Sequence, residues 1–153
     1  GFTFLTPKHQ DALFRVYGTT FLLTHGDQVG SRGGQGFIGP AATIARGMKK
    51  VVDNYAAIGQ PLDVVLVGHW HTPLMLEHGF SNGCLPGYSE FARSHRMRPS
   101  PPSQWLFHVH PRRGLVNWRL VFCGGPGEGL LCDRQENGAA SVDPFRTVSE
   151  QAA

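Results

Sequence analysis

Two short segments of the 153-residue sequence place imidazoles where they can act together: Gly68-His69-Trp70-His71 and His25-Gly26-Asp27. His69 and His71 are two residues apart. In an extended segment that spacing directs both side chains to one side, with Cα atoms roughly 6.5 Å apart. Two imidazoles so placed can each bind a different ion of a metal pair about 3.5–4 Å apart. Gly68 lets the backbone turn tightly beside such ions, and His25 offers a third nitrogen. A lone histidine on a turn is ordinarily surface; here two such turns each follow an apolar run, and that coincidence points to a site.

The elements that must position these turns are short. Residues 13–17 (LFRVY) read as a strand, turning at Gly18 into residues 19–24 (TTFLLT), a nearly continuous apolar run expected of a strand covered on both faces. A glycine-rich loop through Gly30, Gly33, Gly34, Gly36 and Gly39 leads to the clearest helix. Pro40 suits its first turn and Gly59 the position just past its end. Ile44, Met48, Val51, Tyr55 and Ile58 share one face of it, with Arg46, Lys49, Lys50, Asp53 and Asn54 on the other. Residues 63–67 (DVVLV) form a second buried strand, so strand, helix and strand make a parallel crossover that delivers histidines to the C-terminal ends, where open α/β sheets build their sites. Further strands are expected at 74–76, around Phe80, at 104–110 and at 115–123, the later ones antiparallel and edge-like. Arg113-Gly114 makes a hairpin turn, and Tyr88 and Glu90 begin a short helix. From Gly124 the composition turns polar and aperiodic, so residues 124–153 are expected to be a disordered tail.

The chain has the length of one domain, and its 16% charged residues, 20 glycines and 11 prolines suggest a loop-rich protein rather than a helical bundle. No apolar run approaches the roughly 20 residues that span a bilayer, and the start shows no signal-peptide pattern. The net charge of +3 comes mostly from arginine and leans weakly towards anionic partners. Arg93, Arg96 and Arg98 cluster with His95, giving Arg93 and Arg96 as candidate substrate contacts. Cys84, Cys123 and Cys132 make no disulfide framework and no zinc knuckle, so a reducing cytoplasm is expected. Gly34-Gln35-Gly36-Phe37-Ile38-Gly39 matches a dinucleotide-binding glycine pattern in form only, because Gly34 lies ten positions beyond the end of the strand at Thr24. His108 and His110 repeat the alternate spacing but read as the decoration of an edge strand. His9, His78 and His95 have no partner pattern, and Trp70 points into packing.

"LLTHGD" (residues 22–27) followed by "VLVGHWHTP" (residues 65–73) resembles the last two metal-binding motifs of calcineurin-like metallophosphoesterases, and "SNGCLPG" (residues 81–87) resembles the Asn-Gly turn that follows them. The stretch "GYSEFA…SPPSQWLFHV" is similar to members common in bacteriophage and bacterial genomes. The resemblance implies an α/β fold, the C-terminal portion of a four-layer α/β/β/α sandwich, over residues 1–123. It also implies a metal-dependent phosphatase or phosphodiesterase with two divalent ions (Mn, Fe or Zn), whose bound hydroxide attacks phosphorus in line. His25 and His69 would bind one ion and His71 the other, while Asp27 would orient a histidine or the loop. The substrate would be a phosphoester, with a nucleotide or nucleic acid as the wider class, and no membrane partner.

The sequence departs from that pattern upstream. The family's Asp-x-His, Gly-Asp-x-x-Asp and Asn-His motifs, which supply the bridging carboxylate and the proton donor, do not occur, and only 24 residues precede His25. The chain is therefore expected to be a C-terminal piece of a larger enzyme, holding no catalytic acid and hydrolysing little alone. The alternatives are a non-catalytic remnant and a basic nucleic-acid-binding module.

Overall fold

The computed structural model describes residues 10–30, 40–97 and 99–124. The expectations for residues 124–153 (Gly124 apart), the glycine pattern at 34–39, His9, Arg98 and Cys132 lie outside them. β1 (Asp11–Val16) and β2 (Thr19–Thr24) form an antiparallel hairpin. The helix α1 (Pro40–Ala57) then carries the chain across to β3 (Val64–Val67), which pairs parallel with β2. A second hairpin, β4 (Leu74–Leu76) and β5 (Gly79–Ser81), inserts β5 parallel against β3, giving a five-stranded sheet in the order β1-β2-β3-β5-β4. After the short helix α2 (Glu90–Ser94), β6 (Ser103–His110) and β7 (Gly114–Phe122) pair antiparallel as a separate two-stranded sheet.

The alternation of side chains along β2 and β3 sends them to two different cores. Leu22, Val65 and Val67 meet Ile44 and Met48 of α1, with Val51, Tyr55 and Trp70 packed around them. Phe21, Val64 and Phe80 face the other way, against Trp105, Phe107 and Val109 of β6 and Leu115 of β7. Stacked rings fill that side, with Phe14–Phe21 at 5.2 Å, Phe21–Phe107 at 5.9 Å and Phe80–Phe107 at 5.6 Å. Helix, five-stranded sheet and hairpin thus lie in three layers. Ile44 and Met48 are fully buried, each stabilising the fold by about 2 kcal/mol.

The helix ends as expected: Gly59 has φ 76°, Gly59 N–H donates to Ala56 O and Gln60 N–H to Tyr55 O, so a left-handed glycine terminates it. Ile58 differs from expectation. It lies one residue past the helix, and the turn at Gly59 leaves it 68% exposed rather than on the apolar face. The Phe80 strand also exceeds its sequence signal, because all three residues of β5 are buried inside the sheet. Among the described residues no helix is long and apolar enough to cross a membrane.

Gly79 lets the first residue of β5 lie buried against β3. Its φ is 147°, and a Cβ there would collide with the Val65 carbonyl oxygen. Gly79→Ala is expected to lower stability by about 3 kcal/mol or more, read from the midpoint of urea denaturation. A loss under about 1 kcal/mol would contradict this packing.

Candidate functional site

β2 and β3 stop in register, Thr24 opposite Val67. The ladder runs one step further, because Gly68 N–H donates to His25 O at 3.1 Å. His25 and His69 therefore leave adjacent strand ends side by side. Their nitrogens His25 Nε2 and His69 Nδ1 are 3.2 Å apart, with ring centroids 5.0 Å apart and planes at 72°. Gly26 permits this approach. Its φ is 103°, and an added Cβ would press on Gly68 O and Val67 Cβ at 3.2 Å each, so a side chain there would force the two turns apart.

The Gly68-His69-Trp70-His71 segment is not extended, which corrects the sequence expectation. His69 has φ 61° and His71 φ 52°, both left-handed, and Trp70 N–H donates back to Gly68 O. Histidine is among the few non-glycine residues enriched in that region. The resulting bend tucks Trp70 against the helix-side core, its ring edge-on to His69 at 5.6 Å and 89°. Its Nε1–H is buried with no hydrogen-bond partner among the described residues.

His71 is half-buried. Burial, then the charges of His69 and His25, hold its imidazole below the usual 6.5, so the neutral, ligating form prevails at neutral pH. Asp27 is exposed and makes no hydrogen bond among the described residues. Among those residues no group of three or more His, Cys, Asp or Glu side chains converges to hold a metal ion. The structure brings His25 and His69 together and leaves His71 linked to them electrostatically. Two imidazole nitrogens each 2.0–2.1 Å from one tetrahedral zinc ion stand about 3.3 Å apart. The 3.2 Å separation therefore fits two ligands of a single ion as well as it fits a hydrogen bond between neutral rings.

His25 also borders an open cavity of about 560 Å³ on the hairpin side of the sheet, among Leu23, Leu66, Phe80, Asn82 and Phe107. Asn82 is the residue that sequence reasoning missed. Its N–H donates to Val67 O, its Oδ1 accepts from Gly83 N–H and Trp105 N–H, and its Nδ2 bonds Gln104 Oε1. It ties the end of β3 to β6, helped by Trp105 Nε1 donating to Ser81 O at 2.9 Å. The Asn-Gly pair after a buried strand was the available signal. Arg93 and Arg96 do not line this cavity. Arg93 pairs with Glu90 at 2.8 Å, both side chains exposed, and Arg96 follows α2 in a left-handed turn. His110 accepts the Arg112 and Arg113 N–H groups with Nδ1, so it shapes the hairpin turn. Comparison with protein-family models, curated proteins and solved structures finds no match.

Two outcomes follow from this geometry. In the metal-free chain, imidazole NMR against pH should give His71 a midpoint below 6.5; one at or above 6.5 would show that burial does not act. Because the folded value lies below the unfolded one, the unfolded chain takes up the proton first as pH falls. Stability is then whole above 6.5 and declines below it. Asn82→Ala should cost about 2–3 kcal/mol, since two backbone N–H groups lose their acceptor; an unchanged denaturation midpoint would contradict the clasp.

Proposed function

We propose that this chain contributes the histidine wall of a metal-dependent phosphoester hydrolase, acting on a phosphomonoester or phosphodiester, with a nucleotide or nucleic acid as the wider substrate class. The observation that carries the reading is the 3.2 Å approach of His25 Nε2 to His69 Nδ1 at the ends of adjacent parallel strands. In this reading the three layers belong to a four-layer α/β/β/α sandwich.

His25 and His69 would hold one ion and His71 a second. A divalent ion bound there supplies Lewis acidity towards a phosphoryl oxygen and lowers the pKa of water. The chain's own residues do the positioning. The Gly68-to-His25 backbone bond fixes the two rings relative to one another, and the lowered pKa of His71 keeps its nitrogen free of a proton at neutral pH. A donor set of imidazoles without a carboxylate favours Zn or Fe over Mn. With no carboxylate in the set, this chain alone is expected to bind a divalent ion weakly.

Calorimetry with Zn²⁺ is expected to show weak binding that His25→Ala and His69→Ala each reduce about tenfold or more, with His108→Ala, on the exposed hairpin, unchanged. Hydrolysis of p-nitrophenyl phosphate and of its bis ester should be slow and lost with the same two variants. Zinc binding equal in His25→Ala, His69→Ala and parent would overturn the reading.

A further inference from the structure

A second cavity, of about 450 Å³, lies between the end of β2 and α1, lined among others by Asp11, Gln28, Arg46, Lys50, Asn54 and Tyr55. Its charge pattern is unusual for a helix face. Arg46 and Lys50 are exposed and four residues apart, which places like charges one above the other and destabilises the helix. Among the described residues neither has a carboxylate partner. Lys49, on the next meridian, is bonded to both Asp53 oxygens at 2.7 and 3.0 Å. The next residue on the Arg46 and Lys50 row is Asn54, a neutral donor rather than an acid. Asp11, the one carboxylate among the described residues that line the cavity, accepts the Tyr55 hydroxyl at Oδ2, 3.0 Å away.

The far wall is fixed by backbone packing. The turn through Val29 and Gly30 lies directly on Gly47, where a Cβ would stand 2.7 Å from Gly30 N. That close approach explains a glycine in mid-helix, where it costs stability relative to alanine, and Gln28, next to that turn, lines the same cavity as the two cations. The row therefore presents a guanidinium fork, an ammonium about 6 Å further along the helix and two side-chain amides around one open space.

We propose that this cavity binds a phosphate-bearing ligand, with Arg46 and Lys50 carrying its charge and Gln28 and Asn54 completing its hydrogen bonds. A phosphate group answers both features. Its oxygens accept the planar guanidinium bidentately and the ammonium as a point charge, and its negative charge removes the repulsion between positions 46 and 50. The proposal goes beyond the metal reading and holds whether or not the histidines bind an ion.

The test is titration of the metal-free full chain with inorganic pyrophosphate at fixed ionic strength, followed by amide chemical shifts. Saturable shifts are expected at Gln28, Gly47 and Lys50. The Arg46→Gln/Lys50→Gln double variant should weaken binding about tenfold or more, and Lys50→Gln alone by an intermediate amount. Lys49→Gln and the His25→Ala/His69→Ala double variant should stay within about twofold of the parent. Removing the repulsion should leave the thermal midpoint of the Arg46→Gln/Lys50→Gln variant at or above that of the parent, which separates lost binding from lost folding. Shifts that do not saturate would overturn the proposal, as would a loss in Lys49→Gln as large as that in the double variant.

Discussion

One backbone hydrogen bond, from Gly68 N–H to His25 O, carries the pairing of β2 with β3 one residue beyond the strands. The two histidines are neighbours because that bond exists, and it exists because Gly26 and Gly68 present almost no side-chain bulk to each other. The rest of the chain keeps this pairing in register. α1 spans the crossover and seals one face; β5 locks the other side of β3; the hairpin β6–β7 covers the second face. A slip of one residue between β2 and β3 would exchange Phe21 with Leu22 across the sheet and empty both cores at once.

The sheet is held differently on its two sides. Towards the helix the contact is aliphatic, through Leu22, Ile44, Met48 and Val65, and follows simple period matching. Towards the hairpin it is aromatic and polar together. Stacked rings provide the area, while Asn82, Gln104 and Trp105 fix the direction of β6 relative to the end of β3. The site lies where the two regimes meet, with Trp70 reaching into the helix-side core and His25 opening onto the hairpin-side cavity.

Legibility in the sequence followed the range of the forces involved. β2, β3 and α1 were readable because apolar periodicity and the glycine at the helix end are local signals. So was the arrival of His25 and His69 at neighbouring strand ends, since a helix between two apolar runs leaves few alternatives. Other features depend on distant partners. Asn82 matters because of an N–H on Trp105, 23 residues later. β5 is interior because Gly79 fits beneath Val65 O. Ile58 satisfied the helical period but fell beyond the last turn. Arg93 closes an ion pair with Glu90 on its own helix, which the run of arginines did not announce.

The left-handed backbone at His69 and His71 has a further consequence. A chain bent in that way draws its residues from a narrow alphabet, chiefly glycine, asparagine, aspartate and histidine. Three of those four also donate electron pairs to cations. The bend by itself therefore enriches the turn in coordinating letters, and its two histidines answer a conformational demand before any chemical one. His25 is under no such demand, since its backbone is not left-handed. The weight of a ligand assignment rests on His25 more than on the pair that first draws the eye.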